Sequence, residues 1–440
     1  MTSTPSQDDK QCLLCGQCLA VCPVFLATGR EELSPKAKQH LLRHFRERPE
    51  ALAEAPVRVL ADRCLSCGRC AVACPHHLSV PDALARLRSG HPLWHQWVWR
   101  RWIEQGRLLW PALAQASRLV PQVVAPEALR PMLRSAASML AGNRPAPWLR
   151  VSHYDKEAGK GQVVLLFAGC TARRIRPRWL HTAKALLRRL GYSIAEGRGF
   201  TCCGSTLDHA GIPDAASSAR AVNLAVWRAA GRPVLATFCA TCHHGLAAYV
   251  DDDTLGWADG EREAWRESLR PLSTLWGATT FETLEAAPAA IRYHQPCHWY
   301  GKDPDLAWLR DAMPGRVTTP GGPVCCGMGG VLQLADAPLS QEVASDCWHH
   351  LLPSEAAASP APDTHSATSG NAPDGQSPDV PGLAGPATDD HTSRRHNILT
   401  GCSGCTLQLT ATAPADATVH HWLDIIDPVP AAVSPDACPE

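Results

Sequence analysis

The chain has 440 residues, and its 42 basic and 42 acidic side chains cancel to a formal net charge of zero. That balance offers no electrostatic footing for a nucleic-acid partner, and no apolar run approaches the ~20 residues that span a bilayer. The opening MTSTPSQDDKQ lacks the basic-then-apolar order of a secretory signal, so the expectation is a cytoplasmic protein, free or peripheral at the inner face of the cell membrane.

Twenty cysteines therefore need a reason. Disulfides are rare in a reducing compartment, so clustered cysteines there bind metal or do redox work. The first eight fall into two runs, CLLCGQCLAVCP and CLSCGRCAVACP, both reading C-x2-C-x2-C-x3-C-P. This is the spacing of bacterial-type [4Fe–4S] ferredoxins, in which three thiolates wrap one cluster and the fourth reaches the other. One cluster would take Cys12, Cys15, Cys18 and Cys74, and the second Cys64, Cys67, Cys70 and Cys22. Zinc usually takes paired C-x2-C ligands from separate segments, so two complete four-cysteine runs favour iron–sulfur. Between the runs, SPKAKQHLLRHFRERPEAL has leucines on one face and basic residues on the other. It reads as a helix packed over the clusters. Residues 1–90 form this two-cluster module.

Residues 91–160 read as a helical, tryptophan-rich linker. HPLWHQWVWRRWIEQGRLLWP, from His91 to Pro111, holds five tryptophans and an arginine-rich side. Packing against the ferredoxin module or a partner is the favoured reading, and an interfacial membrane helix the competing one.

From Gln162 the texture becomes α/β. QVVLLFAGC is an apolar strand ending at Cys170, and WLHTAKALLRRLG follows as an amphipathic helix closed by Gly191. The adjacent pair Cys202–Cys203 comes next, then a helix around AASSARAVNLAVWRAA. The strand PVLATF then runs into Cys239 and Cys242. Residues 161–255 thus carry the pattern C-x31-CC-x35-CxxC. Residues 288–430 repeat it: a strand ending at Cys297, the pair Cys325–Cys326, a helix containing Cys347, and the strand HNILTG before Cys402 and Cys405. The last gap there is 75 residues, but residues 353–395 are 43 residues dominated by Pro, Ala, Ser, Gly and Asp, a disordered composition. Without them the gap falls to 32. Each doublet places two thiolates on one turn, with Gly204 or Gly327 allowing the backbone to bend. Companions arrive from strand C-termini, where open α/β sheets place ligands. Five thiolates per half exceed the four of a cubane or a zinc ion.

The doublets with their partners resemble the CCG cysteine-rich domain of heterodisulfide reductase subunits. A two-cluster ferredoxin followed by two CCG halves is similar to the iron–sulfur subunits of glycolate oxidase and anaerobic glycerol-3-phosphate dehydrogenase, and to the D subunit of heterodisulfide reductase. LADRCLSCGRCAVACP, YHQPCHW, VCCGMGG and VHHWLDIID look most like the glycolate oxidase type. Cys239 and Cys402 depart from it, because the first cysteine of each CxxC is often missing there. The resemblance implies an α+β protein: an α-helical two-[4Fe–4S] module, then a duplicated α/β region. It implies further, noncubane [4Fe–4S] clusters at Cys170, Cys202, Cys203, Cys239, Cys242 and at Cys297, Cys325, Cys326, Cys402, Cys405, with zinc considered for one half.

The function so implied is electron transfer in a 2-hydroxy-acid oxidoreductase, from an FAD-binding dehydrogenase partner towards a quinone or other membrane-associated acceptor. The alternatives are reduction of a disulfide at a CCG cluster and the glycerol-3-phosphate role. GMGGV lacks dinucleotide-fingerprint spacing, and neither a Walker motif nor a Ser-His-Asp pattern is present, which assigns flavin chemistry to another chain. His76, His77, His243, His244, His294 and His298 crowd the cysteines and are read as supporting groups rather than ligands.

Overall fold

Short apolar runs that end at a glycine or cysteine become buried parallel strands. The computed structural model describes residues 11–48, 59, 61–119, 130–140, 144–352 and 396–428. The insert at 353–395 and Cys438 lie outside them. The architecture is α+β.

The N-terminal module is built from two loops and short helices. In the first loop Leu14 and Gly16 have φ of 57° and 82°; in the second Ser66 and Gly68 have 54° and 73°. The two loops share this left-handed geometry, although the second continues into a helix, Arg69–Ala73, where the first stays a turn. The helix Pro35–Glu47 between them starts where the Ser34 hydroxyl accepts from the Ala37 N–H at 3.1 Å, with proline in its first turn. It buries Leu42 and Phe45, and also Lys38 and Gln39.

The tryptophan-rich stretch forms two helices, Trp94–Glu104 and Gly106–Leu119, and a third spans Arg130–Leu140. One side packs: Trp99 and Trp110 are buried, and the Trp99 indole donates to the Thr206 carbonyl at 3.2 Å. The other side does not, since Trp94 and Trp97 are 67% and 62% exposed. The helical reading of 91–160 needs correction at its end. Leu149–His153 is a strand, β1, because its backbone pairs with two distant segments while Leu149 and Val151 are buried.

The remaining strands are β2 (Val163–Phe167), β3 (Ser193–Ala195), β4 (Val234–Thr237), β5 (Leu269–Pro271), β6 (Thr280–Thr283), β7 (Ile291–His294), β8 (Val317–Thr318), β9 (His396–Thr400), β10 (Ala417–His421) and β11 (Ile426–Asp427). One parallel sheet has the order β3-β2-β4-β5, and the other, read from its far edge, β8-β7-β9-β10. Strand for strand these are the same sheet. The first half therefore runs to Pro271, past the boundary expected at 255, because β5 completes its sheet beside β4. A third sheet, β11-β1-β6, pairs β1 parallel to β11 and antiparallel to β6. It ties the segment before the first half to the end of the second.

The doublet glycines serve two needs. Gly204 and Gly327 have φ of 85° and 78°, which other residues adopt at a penalty. A Cβ on Gly327 would also lie 2.4 Å from the Ser340 carbonyl oxygen of the following helix, whereas one on Gly68, with a similar φ, meets open space. Gly327→Ala is therefore expected to destabilise by roughly 3 kcal/mol, from the αL penalty plus overpacking. Gly68→Ala should lose only about 1 kcal/mol from backbone conformation. Urea unfolding of both variants tests this, and equal losses would contradict the close-approach argument.

Candidate metal centre

In the N-terminal module, each loop turns backbone amides toward sulfur. The Leu14 and Ser66 N–H groups donate to Cys12 and Cys64 Sγ, both at 3.4 Å. Cys12, Cys15, Cys18 and Cys74 line one crevice, which Cys70 also borders. Cys22 stands on the other side against Cys64, close enough for the two charges to act on each other. Burial, then the charge of Cys12, pushes the Cys18 thiol up to about 11; burial, then Cys64, pushes Cys70 up to about 12. Thiols so raised become thiolates only by binding a cation. The N–H···S donors and the converging sulfurs suit two clusters.

Each of β2, β4, β7 and β9 delivers a cysteine within three residues of its C-terminal end. Cys239 and Cys402 are the N-cap residues of the helices Ala240–Ala247 and Ser403–Thr412, with near-identical backbone angles (φ −135°, ψ 120°; φ −136°, ψ 128°). The same local device thus occurs once per half, and the Ala240 N–H donates to the Gly401 carbonyl across the boundary.

Spacing alone describes two separate five-cysteine sets. The structure joins them. Sulfur contacts run without a break from Cys170 to Cys202, Cys203, Cys242 and Cys239. Cys239 meets Cys402, and the row continues through Cys405, Cys326, Cys325 and Cys297. The Cys326 and Cys405 sulfurs are 3.3 Å apart. The joint at Cys239–Cys402 is made by the first cysteine of each CxxC. Three members, Cys203, Cys325 and Cys402, are pushed down because Cys202, Cys297 and Cys239 respectively share protons with them. Eight of the ten are buried; Cys170 and Cys297 are partly exposed. A buried row of thiols with three already biased to thiolate fits metal binding. His294, Cys326 and Cys405 bring their ligand atoms within 4.8 Å of one another. That N/S/S set suits zinc or iron, so His294 has ligating geometry, beyond the supporting role its sequence position suggests.

The row also meets the N-terminal module. Cys67 lies near enough to Cys297 and Cys325 for their charges to interact. Beside them is Arg69, 3% exposed, with no carboxylate partner among the described residues. One of its nitrogens donates to the Val324 carbonyl at 2.9 Å, and its guanidinium lies 5.0 Å from the Tyr300 ring. Nε and Nη1 have no hydrogen-bond partner. A clue was present: the two loops match at C-G-x-C, but x is Gln17 in the first and Arg69 in the second. Gln17 is exposed and Arg69 is buried. Lys38 is likewise buried, close to Cys22, Cys64 and Cys70.

Of the remaining histidines, His243 bonds Thr237, and His298 bonds Thr241, whose hydroxyl also contacts Cys402 Sγ at 3.2 Å. His421 holds the backbone before Cys239: its Nε2 donates to the Phe238 carbonyl at 2.9 Å, and Nδ1 accepts from the Leu423 N–H. It stacks on Trp179, and burial holds it down at about 4. Because the unfolded imidazole titrates near 6.5, His421 contributes full stability above pH ~6.5. It loses that contribution as pH falls through about 4, roughly 3 kcal/mol in all. Urea midpoints of wild type and His421→Gln between pH 7 and 4 should diverge less at the acid end. An identical acid slope in both would contradict this.

Cys347 is fully buried and lies in the helix Ala337–Leu351. A cavity of about 840 Å³ opens beside the cysteine row.

These features define an iron–sulfur protein with a dicluster ferredoxin module and a cysteine-rich α/β region. Family comparison matches a 4Fe-4S dicluster domain at residues 9–78 and the cysteine-rich CCG domain at 164–247. The chain is similar to the glycolate oxidase iron-sulfur subunit of Escherichia coli (strain K12), at 23% identity over 353 residues, covering 76% of this chain and 83% of that protein. No solved structure matches.

Proposed function

We propose that this chain is the electron-transfer subunit of a 2-hydroxy-acid oxidoreductase of the glycolate or lactate type. It receives electrons from an FAD-binding partner and passes them towards a quinone, in the cytoplasm or at the inner face of the membrane. The observation that carries this reading is the unbroken order of sulfur groups, from the surface crevice at Cys12 and Cys15, through Cys67, to the ten-cysteine row. Clusters held by these thiolates supply one-electron carriers. The chain contributes spacing and burial, and its exposed entrance, where Cys15 and Leu13 are open to solvent, suits a docking partner. Among the described residues no helix is long and apolar enough to cross a membrane.

The test is anaerobic mixing of the metal-loaded chain with the flavoprotein expected as its partner and with glycolate or lactate. Substrate-dependent EPR signals from the chain support the reading. Their absence, with dithionite still reducing the protein, rejects it.

The contact between Cys239 and Cys402 favours a second reading, reduction of a disulfide at the row. A paramagnetic state that depends on added disulfide would select it.

A further inference from the structure

The 840 Å³ cavity has an inner wall of sulfur and an outer wall that no metal site requires. That outer wall is the tryptophan-rich helix pair. Trp97, Arg101, Gln105, Leu109 and Leu113 follow one another at four-residue steps along the two helices, each near the next, and all five line the cavity. Met139 and Leu407 face it from other helices.

Two properties identify the kind of occupant. First, large apolar side chains on a helix normally close against their neighbours, while polar ones such as Arg101 and Gln105 stay in solvent. Here Trp97 and Leu113 line the cavity while staying 62% and 43% exposed, and so form a mouth. Trp94, Leu108 and Leu119 on the same helices add further exposed apolar surface. A water-soluble substrate would gain nothing from that entrance; an apolar one would partition into it. Second, away from the thiols the cavity walls are mostly apolar with a few polar groups, the make-up of a small-molecule site. Gln333 and Gln408, hydrogen-bonded to each other, supply amide groups on its wall. Aromatic faces, amide donors and adjacent redox sulfur together suit a planar apolar ring bearing carbonyl oxygens.

We propose that this cavity binds a lipid-soluble quinone, with its ring between the tryptophan-rich helices and the cysteine row and its tail leaving past Trp97 and Leu113. This rests on the electron-transfer reading. The quinone takes two electrons from the reduced metal sites, refilled by the reduced flavin of the partner, and two protons from water, and leaves as the hydroquinone.

The experiment uses the full-length, metal-loaded chain with decylubiquinone as probe and tryptophan emission as readout. Saturable quenching is expected. Leu109→Arg, which projects a cation into the cavity, and Leu113→Glu, which charges its mouth at an already exposed position, should each weaken binding by about tenfold or more with iron content and EPR signals unchanged. Non-saturable quenching of the wild type, or wild-type affinity in both variants, would overturn the proposal. So would reoxidation of the dithionite-reduced chain by glutathione disulfide but not by decylubiquinone, which would assign the cavity to a sulfur substrate. If the flavoprotein cannot reduce the chain while decylubiquinone still binds and reoxidises the dithionite-reduced protein, the partner reading fails and the site stands.

Discussion

Arg69→Met is expected to lower the reduction potential of the metal site nearest Cys297 and Cys325. The side chain is a buried cation whose Nε and Nη1 have no partner in the protein, and its charge acts on both thiols. Adding an electron there makes the site more negative, so a neighbouring cation with free N–H donors favours the reduced state. Hydrogen bonds to charged groups contribute ~1.5–3 kcal/mol. For a one-electron couple, where ~59 mV corresponds to a tenfold change, this becomes roughly 60–130 mV. Arg69→Lys keeps the charge and should recover part of the difference. An EPR-monitored potentiometric titration reads each site. The site bounded by Cys12 and Cys15 serves as the internal control and should not move. Equal potentials in wild type and Arg69→Met would show that the guanidinium only fills space beneath Tyr300.

Removing one sulfur at the joint should disturb both halves. Cys239 belongs by sequence to the first half, yet its sulfur meets Cys402 of the second. The Ser403 N–H also donates to Cys239 Sγ at 3.4 Å. Cys239→Ala is expected to reduce iron in the first half and to alter the EPR spectrum assigned to the second. Cys402→Ala should do the converse. Cys347→Ala, which removes a buried thiol outside the row, should leave iron content unchanged and lose only packing. If Cys239→Ala leaves the second half's spectrum intact, the two sets act independently despite their contact.

Much of this arrangement was legible in the residues, for identifiable reasons. The cysteine runs impose fixed local geometry, so their spacing carries information within a dozen residues. Three of the four cysteine-delivering strands announce themselves as short apolar runs just before a cysteine, while β7, IRYH, is half polar. What spacing could not reveal is where elements distant in sequence meet. Leu149–His153 becomes a strand only because Ile426–Asp427 and Thr280–Thr283 lie beside it. Leu269–Pro271 is too short to signal a strand without the edge of β4 to receive it. The meeting of Cys239 and Cys402 follows from how two similar sheets are placed against each other, which neither half encodes alone. Arg69 was visible as a difference from Gln17, but its burial depends on Val324 and Tyr300, more than two hundred residues away.

The three-stranded sheet that joins β1 to β11 has a bearing on how the protein is made. During synthesis the N-terminal parts of a chain can fold first, and here both parallel sheets and all ten thiols of the row emerge before Ile426. The clasp therefore completes after every ligand is available. Once it has formed, parting the halves would mean breaking backbone pairing on two sides of β1. The order of synthesis thus lets the metal sites assemble before the clasp closes over the joined halves.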